Sequence, residues 1–167
     1  MTNNWLEECL AKEIEELASG IELRGIDGER KALRGYSEAL PQMALPENWE
    51  QNPSDSLGDS DPQDSLIPYC IVRTTEVSYE DDEAKAKVYL VFCLCDRDEK
   101  MAGYRTMWNL MNRVTGRFRK NPVLDAFWCD RKMKAVSQDE DTWPYFFGGI
   151  EMSWHMPDME SEEFEDE

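Results

Sequence analysis

Residues able to do chemistry are few in this chain. There is one histidine, His155. A single imidazole rules out a zinc centre or a proton relay that needs two. Cys93 and Cys95 are two apart on one face of an apparent strand, and no second cysteine pair exists to complete a metal site. Glu80, Asp81, Asp82 and Glu83 have the composition of a cation site. They lack the spaced ligands and the glycine of a calcium loop, so a solvated turn is the plainer reading. Gly148 and Gly149 fall inside a strand pattern, where a bulge or close backbone packing explains them better than a phosphate loop. Arg113, Arg117, Arg119 and Lys120 crowd the end of a predicted helix. The helix dipole welcomes cations there, and the same cluster could receive phosphate or an acidic neighbour. No set of residues reads as catalytic, which disfavours an enzyme, and no cofactor or metal is expected.

The elements that carry these residues are legible from periodicity. Residues 4–19 predict an amphipathic helix. Leu6, Leu10, Ile14 and Leu17 form its stripe, Trp5, Cys9 and Ala18 widen it, and Glu7, Glu8, Glu15 and Glu16 lie opposite. Asn3 or Asn4 is the expected cap. Residues 66–78 (LIPYCIVRTTEVS) predict a strand, 79–84 (YEDDEA) an acidic turn, and 85–96 (KAKVYLVFCLCD) a central strand apolar on both faces; together they make a hairpin. Residues 97–120 switch to a helical period, with Met101, Tyr104, Trp108, Met111 and Thr115 in one seam. Met107, Leu110 and Val114 lie beside it, and Asn121-Pro122 ends it. Residues 124–136 predict a third long strand whose second half is charged. Residues 143–157 (WPYFFGGIEMSWHMP) predict a fourth. Phe146, Ile150, Met152 and Trp154 seat it on the helix layer, and His155 falls on its polar, exposed face. The order helix, loop, strand, strand, helix, strand, strand predicts an α+β fold, a mostly antiparallel sheet of four to five strands with two main helices.

Residues 20–65 are punctuated by glycine and proline. A short strand is expected at 21–26, anchoring apolar residues around Trp49, and a flexible acidic loop at 50–65. Residues 1–157 then form one domain, followed by a disordered acidic tail at 158–167. The net charge is −18. Counted along the chain it is −10 over residues 1–66, −1 over 67–157 and −7 over 158–167. The central body is almost neutral and the acidity is peripheral. Duplex binding by the whole protein is therefore disfavoured, and so is a carboxylate array that imitates nucleic acid. The five cysteines read as small buried hydrophobes, not a disulfide framework. No apolar run approaches a membrane span and the first residues lack a signal-peptide pattern, so a cytosolic product is expected.

The order of elements and several local phrases resemble phage tail terminator, or tail completion, proteins. The N-terminal amphipathic helix, the strand LIPYCIVRTTEVS after a variable loop, the hairpin into VYLVFCLC, the helix MAGYRTMWNLMNRVTGRF and the closing PYFFGGIEMSWHMP carry the resemblance. They cover roughly residues 4–18 and 66–157. The long 20–65 segment and the acidic tail depart from the pattern. The resemblance implies a non-catalytic α+β subunit that forms a ring with itself, usually hexameric. That ring caps the tail tube and joins it to the head connector, in the virion tail and, during assembly, the host cytoplasm. It also implies that the loop at 79–84 (Glu80, Asp81, Asp82, Glu83) and the 36–65 segment, with Trp49, face tube or connector; Arg117 and Arg119 are further candidate contacts. No membrane partner and no direct nucleic-acid contact are expected. The competing reading is an acidic module that inhibits a host nucleic-acid enzyme, or another phage accessory protein.

Overall fold

The long β-rich runs pair into one sheet because each alternates large apolar residues on a single face, which must then be buried. In the computed structural model, which describes residues 2–42, 62–100 and 102–157, helix α1 spans Asn3–Ala18 and strand β1 Arg34–Ser37. A 3₁₀ turn at Pro62–Leu66 leads into β2, Tyr69–Tyr79, and β3, Glu83–Cys95. Helix α2 is Ala102–Lys120, followed by β4 Val123–Leu124, β5 Phe127–Cys129, β6 Lys134–Ser137 and β7 Tyr145–Pro157. The sheet order is β1-β2-β3-β7-β5-β4, with β6 beside β5 on the same edge of β7.

The fold is α+β with two helices, as expected, but the sheet is larger and of another kind. It has seven strands, and it is mixed: β1 runs parallel to β2 while the other pairs are antiparallel. β1 escaped the sequence reading because RGYS has no alternation, and its pairing partner lies over thirty positions away. The expected strand at 21–26 is instead a turn closed by an isolated bridge between Arg24 and Arg30. The expected long strand at 124–136 is broken twice. Asp125, at φ 55°, turns β4 back on β5, and β5 gives way to an irregular stretch after Asp130, whose N–H still donates to the Ser153 carbonyl of β7. Part of the acidic loop, at 62–65, is a 3₁₀ turn. The rest of that loop, Trp49 and the 158–167 tail lie outside the described residues.

Both helices pack on one face of the sheet. Cys70, Val72, Val88, Leu90, Phe92, Leu94, Phe146, Ile150, Met152 and Trp154 meet Leu6, Leu10 and Ile14 of α1 and Met107, Leu110, Met111, Val114 and Phe118 of α2. The buried stripe of α2 is thus rotated from the expected seam, and Trp108 is 38% exposed. Residues 97–100 are not helical. Asp96 and Asp98 side chains accept from the backbone N–H groups of Asp98 and Lys100, a turn chemistry that competes with helix. The cap of α1 is Thr2 and not Asn3, and no side chain closes it. Two glycines allow close approach. A Cβ on Gly35 would lie 2.9 Å from Ala11 Cα, so β1 sits directly against α1. One on Gly148 would lie 2.8 Å from Met107 Sδ, which accounts for the Gly pair by packing under α2. β7 pairs regularly through Gly148 and Gly149, and no bend occurs there.

Candidate interaction surface

The face of the sheet away from the helices is set by register. Rows run Val136, Gly149, Val91, Ile71 and then Lys134, Glu151, Tyr89, Arg73 across β6, β7, β3 and β2. Towards one end, Ile26 from the 20–33 loop covers Ile67, Cys93 and Cys95. The middle has no covering layer among the described residues. Tyr89, Val91, Val136 and Phe147 are 37–49% exposed there. Four large apolar side chains gathered on one face make it the candidate contact surface. Tyr89 is also fixed by a hydrogen bond to Glu151 Oε1 at 2.9 Å.

Further along this face sits a polar cluster that the sequence did not suggest. His155 Nδ1 lies 2.9 Å from Glu83 Oε1 and Nε2 lies 2.6 Å from Asp130 Oδ1. Lys85 Nζ meets the other Asp130 oxygen at 3.0 Å, and Trp128 lies parallel to the imidazole with centroids 5.4 Å apart. Two carboxylate acceptors suit an imidazolium, which has two N–H donors. Partial burial works against the charged ring, but the hydrogen bonds to Asp130 and Glu83 prevail and its pKa is raised. Desolvation pushes Asp130 up, yet the bonds from His155 and Lys85 outweigh it and hold its carboxyl below the usual range. Lys85 is raised by its bond to Asp130. The expected exposed histidine is therefore a half-buried clasp, its side chain 17% exposed. Glu83 belongs to β3 and to this clasp and not to the acidic turn. The cluster lacks a nucleophile beside a base.

Glu80, Asp81 and Asp82 are exposed at the hairpin end, where Tyr79 is 81% exposed. The basic helix end divides. Arg117 donates to Glu13 Oε1 at 2.8 Å and to the carbonyls of Asn121 and Val123, and lies over the Phe118 ring. It braces α2 against α1 and β4. Arg119 is exposed. No matching family model and no matching curated protein is found for this chain.

The remaining chemistry is structural. Burial raises the Cys93 thiol to about 12 and Cys129 to about 11, and pushes Cys70 up as well. Thiolate character is thereby suppressed. A cavity of about 200 Å³ is lined by Glu22, Arg24, Leu94, Cys95, Asp96 and Thr106; within it Glu22 and Arg24 form an ion pair. Among the described residues no group of three or more His, Cys, Asp or Glu is placed to hold a metal, and no helix is long and apolar enough to cross a membrane. The sequence missed Glu7 altogether. Assigned to the solvent face of α1, it is fully buried and accepts hydrogen bonds from Thr74 Oγ1 at 2.6 Å and Ser37 Oγ at 2.8 Å. Burial raises its pKa first, and the neighbouring Glu38 carboxyl adds to that. The only sequence signal is its place between Leu6 and Leu10 on the apolar side.

Proposed function

We propose that this chain is a structural subunit of a phage or prophage tail, of the tail terminator kind, that assembles with itself into a ring, hexameric in that family. The ring caps the tail tube and joins it to the head connector, and the role involves no catalysis. The subunit works in the virion tail and passes through the host cytoplasm on the way. The observation that carries the reading is the sheet face bearing Tyr89, Val91, Val136 and Phe147, which nothing covers among the described residues. A chain with a complete core under its helices leaves such a face open when another protein surface covers it. The near-neutral charge of residues 67–157 favours protein contacts over phosphate. The hairpin end with Glu80, Asp81 and Asp82 supplies partner-facing surface.

Light scattering behind size-exclusion chromatography, run over a concentration series, tests this. A discrete oligomer of constant mass is expected, and electron microscopy should show rings. Val91→Asp, in the middle of the open face, should weaken binding to tail tubes at least tenfold. A chain that stays monomeric at the highest concentrations and binds a basic enzyme in a salt-sensitive way would replace the ring with the acidic-inhibitor reading.

A further inference from the structure

The sheet ends in two unlike edges at the same height. On one side β1 covers β2 only from Tyr69 to Val72, so among the described residues the outer edge of β2 is unpaired from Arg73 to Tyr79. This edge runs into Glu80, Asp81 and Asp82, all exposed, with Tyr79 standing out at 81% exposure. On the other side β6 pairs with β7 alone; its first residue Lys134 and, in the segment leading into it, Arg131 and Lys132 are exposed. Beside that segment β4 and β5 expose Val123 at 51% and Trp128 at 40%. Register places the two edges level. Arg73 is in one row with Lys134, and Ser78 is in one row with Trp128. β3 and β7 stand between them, so the edges are three strand spacings apart, about 14 Å. Within one copy they are too far apart to satisfy each other.

We propose that copies of this chain join head to tail, with Tyr79, Glu80, Asp81 and Asp82 of one copy seated against Arg131, Lys132, Lys134, Val123 and Trp128 of the next. The occupant is a second copy because one chain carries both complementary halves, acidic with an exposed aromatic on one edge, basic with exposed apolar residues on the other. Each half is only half of a contact. A heterologous contact between opposite edges closes into a ring when its rotation divides a circle. The exposed Tyr79 fits the role of an aromatic anchor, and the charged groups fix orientation and register around it. This rests on the self-assembly proposed above and assigns the hairpin end to the neighbouring copy in place of tube or connector.

The experiment compares the full-length chain with two charge reversals, E80K/D81K/D82K and R131E/K132E/K134E, by light scattering over a concentration series. The reversed residues are exposed, so circular dichroism should match the parent. Each reversal alone should raise the concentration needed for assembly at least tenfold, as should Tyr79→Ala. Mixing the two reversed chains, which then present opposite edges to each other, should restore assembly. If the parent assembles and neither reversal changes it, the head-to-tail contact is overturned while self-assembly stands. If the parent itself stays monomeric, both fall.

Discussion

Asp130 Oδ1 and His155 Nε2 lie 2.6 Å apart, joining the segment after β5 to the C-terminal end of β7. The raised His155 pKa means that its share of stability is complete below about pH 6.5 and fades as the pH rises through the folded value. Asp130 is lowered, so its share is present above about pH 4 and is lost as the pH falls through its folded value. Comparison with His155→Gln isolates the imidazole. The melting-temperature gap between the two proteins should be widest near pH 5–6 and narrow towards pH 9, with a cost at the optimum of about 1–3 kcal/mol. A gap that does not vary with pH would remove the clasp.

Glu7 gives the opposite handle. Its ionised form is disfavoured by burial, so stability falls as the pH rises through its raised folded value. Glu7→Gln, neutral at every pH, should remove that fall and unfold at equal or higher denaturant at pH 8. Glu7→Ala strands the Ser37 and Thr74 hydroxyls, and a loss of about 2–4 kcal/mol is expected in urea titrations.

Two glycine substitutions should move stability in opposite directions. Gly35→Ala drives a Cβ into Ala11 backbone atoms 2.8–2.9 Å away, and backbone cannot yield as a side chain can; about 1–3 kcal/mol should be lost. Gly116→Ala meets nothing within 4 Å on an exposed turn of α2, and should gain up to about 1 kcal/mol from helix propensity. Thermal unfolding of both variants checks the pair.

Thiol labelling should be selective. Cys9 is half-buried, whereas Cys70, Cys93, Cys95 and Cys129 are buried. In native buffer one thiol per chain should react readily and the other four only on unfolding, by mass spectrometry of the labelled peptides.

The long strands and both helices were legible because their apolar spacing is forced by a shared core: Val88, Leu90, Phe92 and Leu94, with Phe146, Ile150, Met152 and Trp154, line the face under the helices, whereas the equally apolar second face of β3 expected in the sheet interior leaves Tyr89 and Val91 exposed. The short strands were not. β1 becomes a strand by lying along β2, and β5 and β6 are separated by the irregular stretch 131–133. These are tertiary events with no local signature. The same limit hid the clasp. His155, Glu83 and Asp130 are 25 to 72 positions apart in the chain, and only strand pairing brings them together. Glu7 was misplaced because a carboxylate is read as exposed unless its partners are visible, and its partners lie in β1 and β2.

β7 lies between β3 and the β5–β6 edge, yet every other strand precedes it in the chain. During synthesis, β3 therefore waits with one whole edge bare, and β6 and the β4–β5 pair have no sheet to join, until residues 145–157 have left the ribosome. The sheet is completed by its middle member, through pairings between residues 50 positions apart at Cys95–Tyr145 and 74 apart at Glu83–Pro157. Such distant pairing is slow, and it keeps an apolar edge open for as long as translation lasts. Nascent chains halted before β7 should be the aggregation-prone species of this protein.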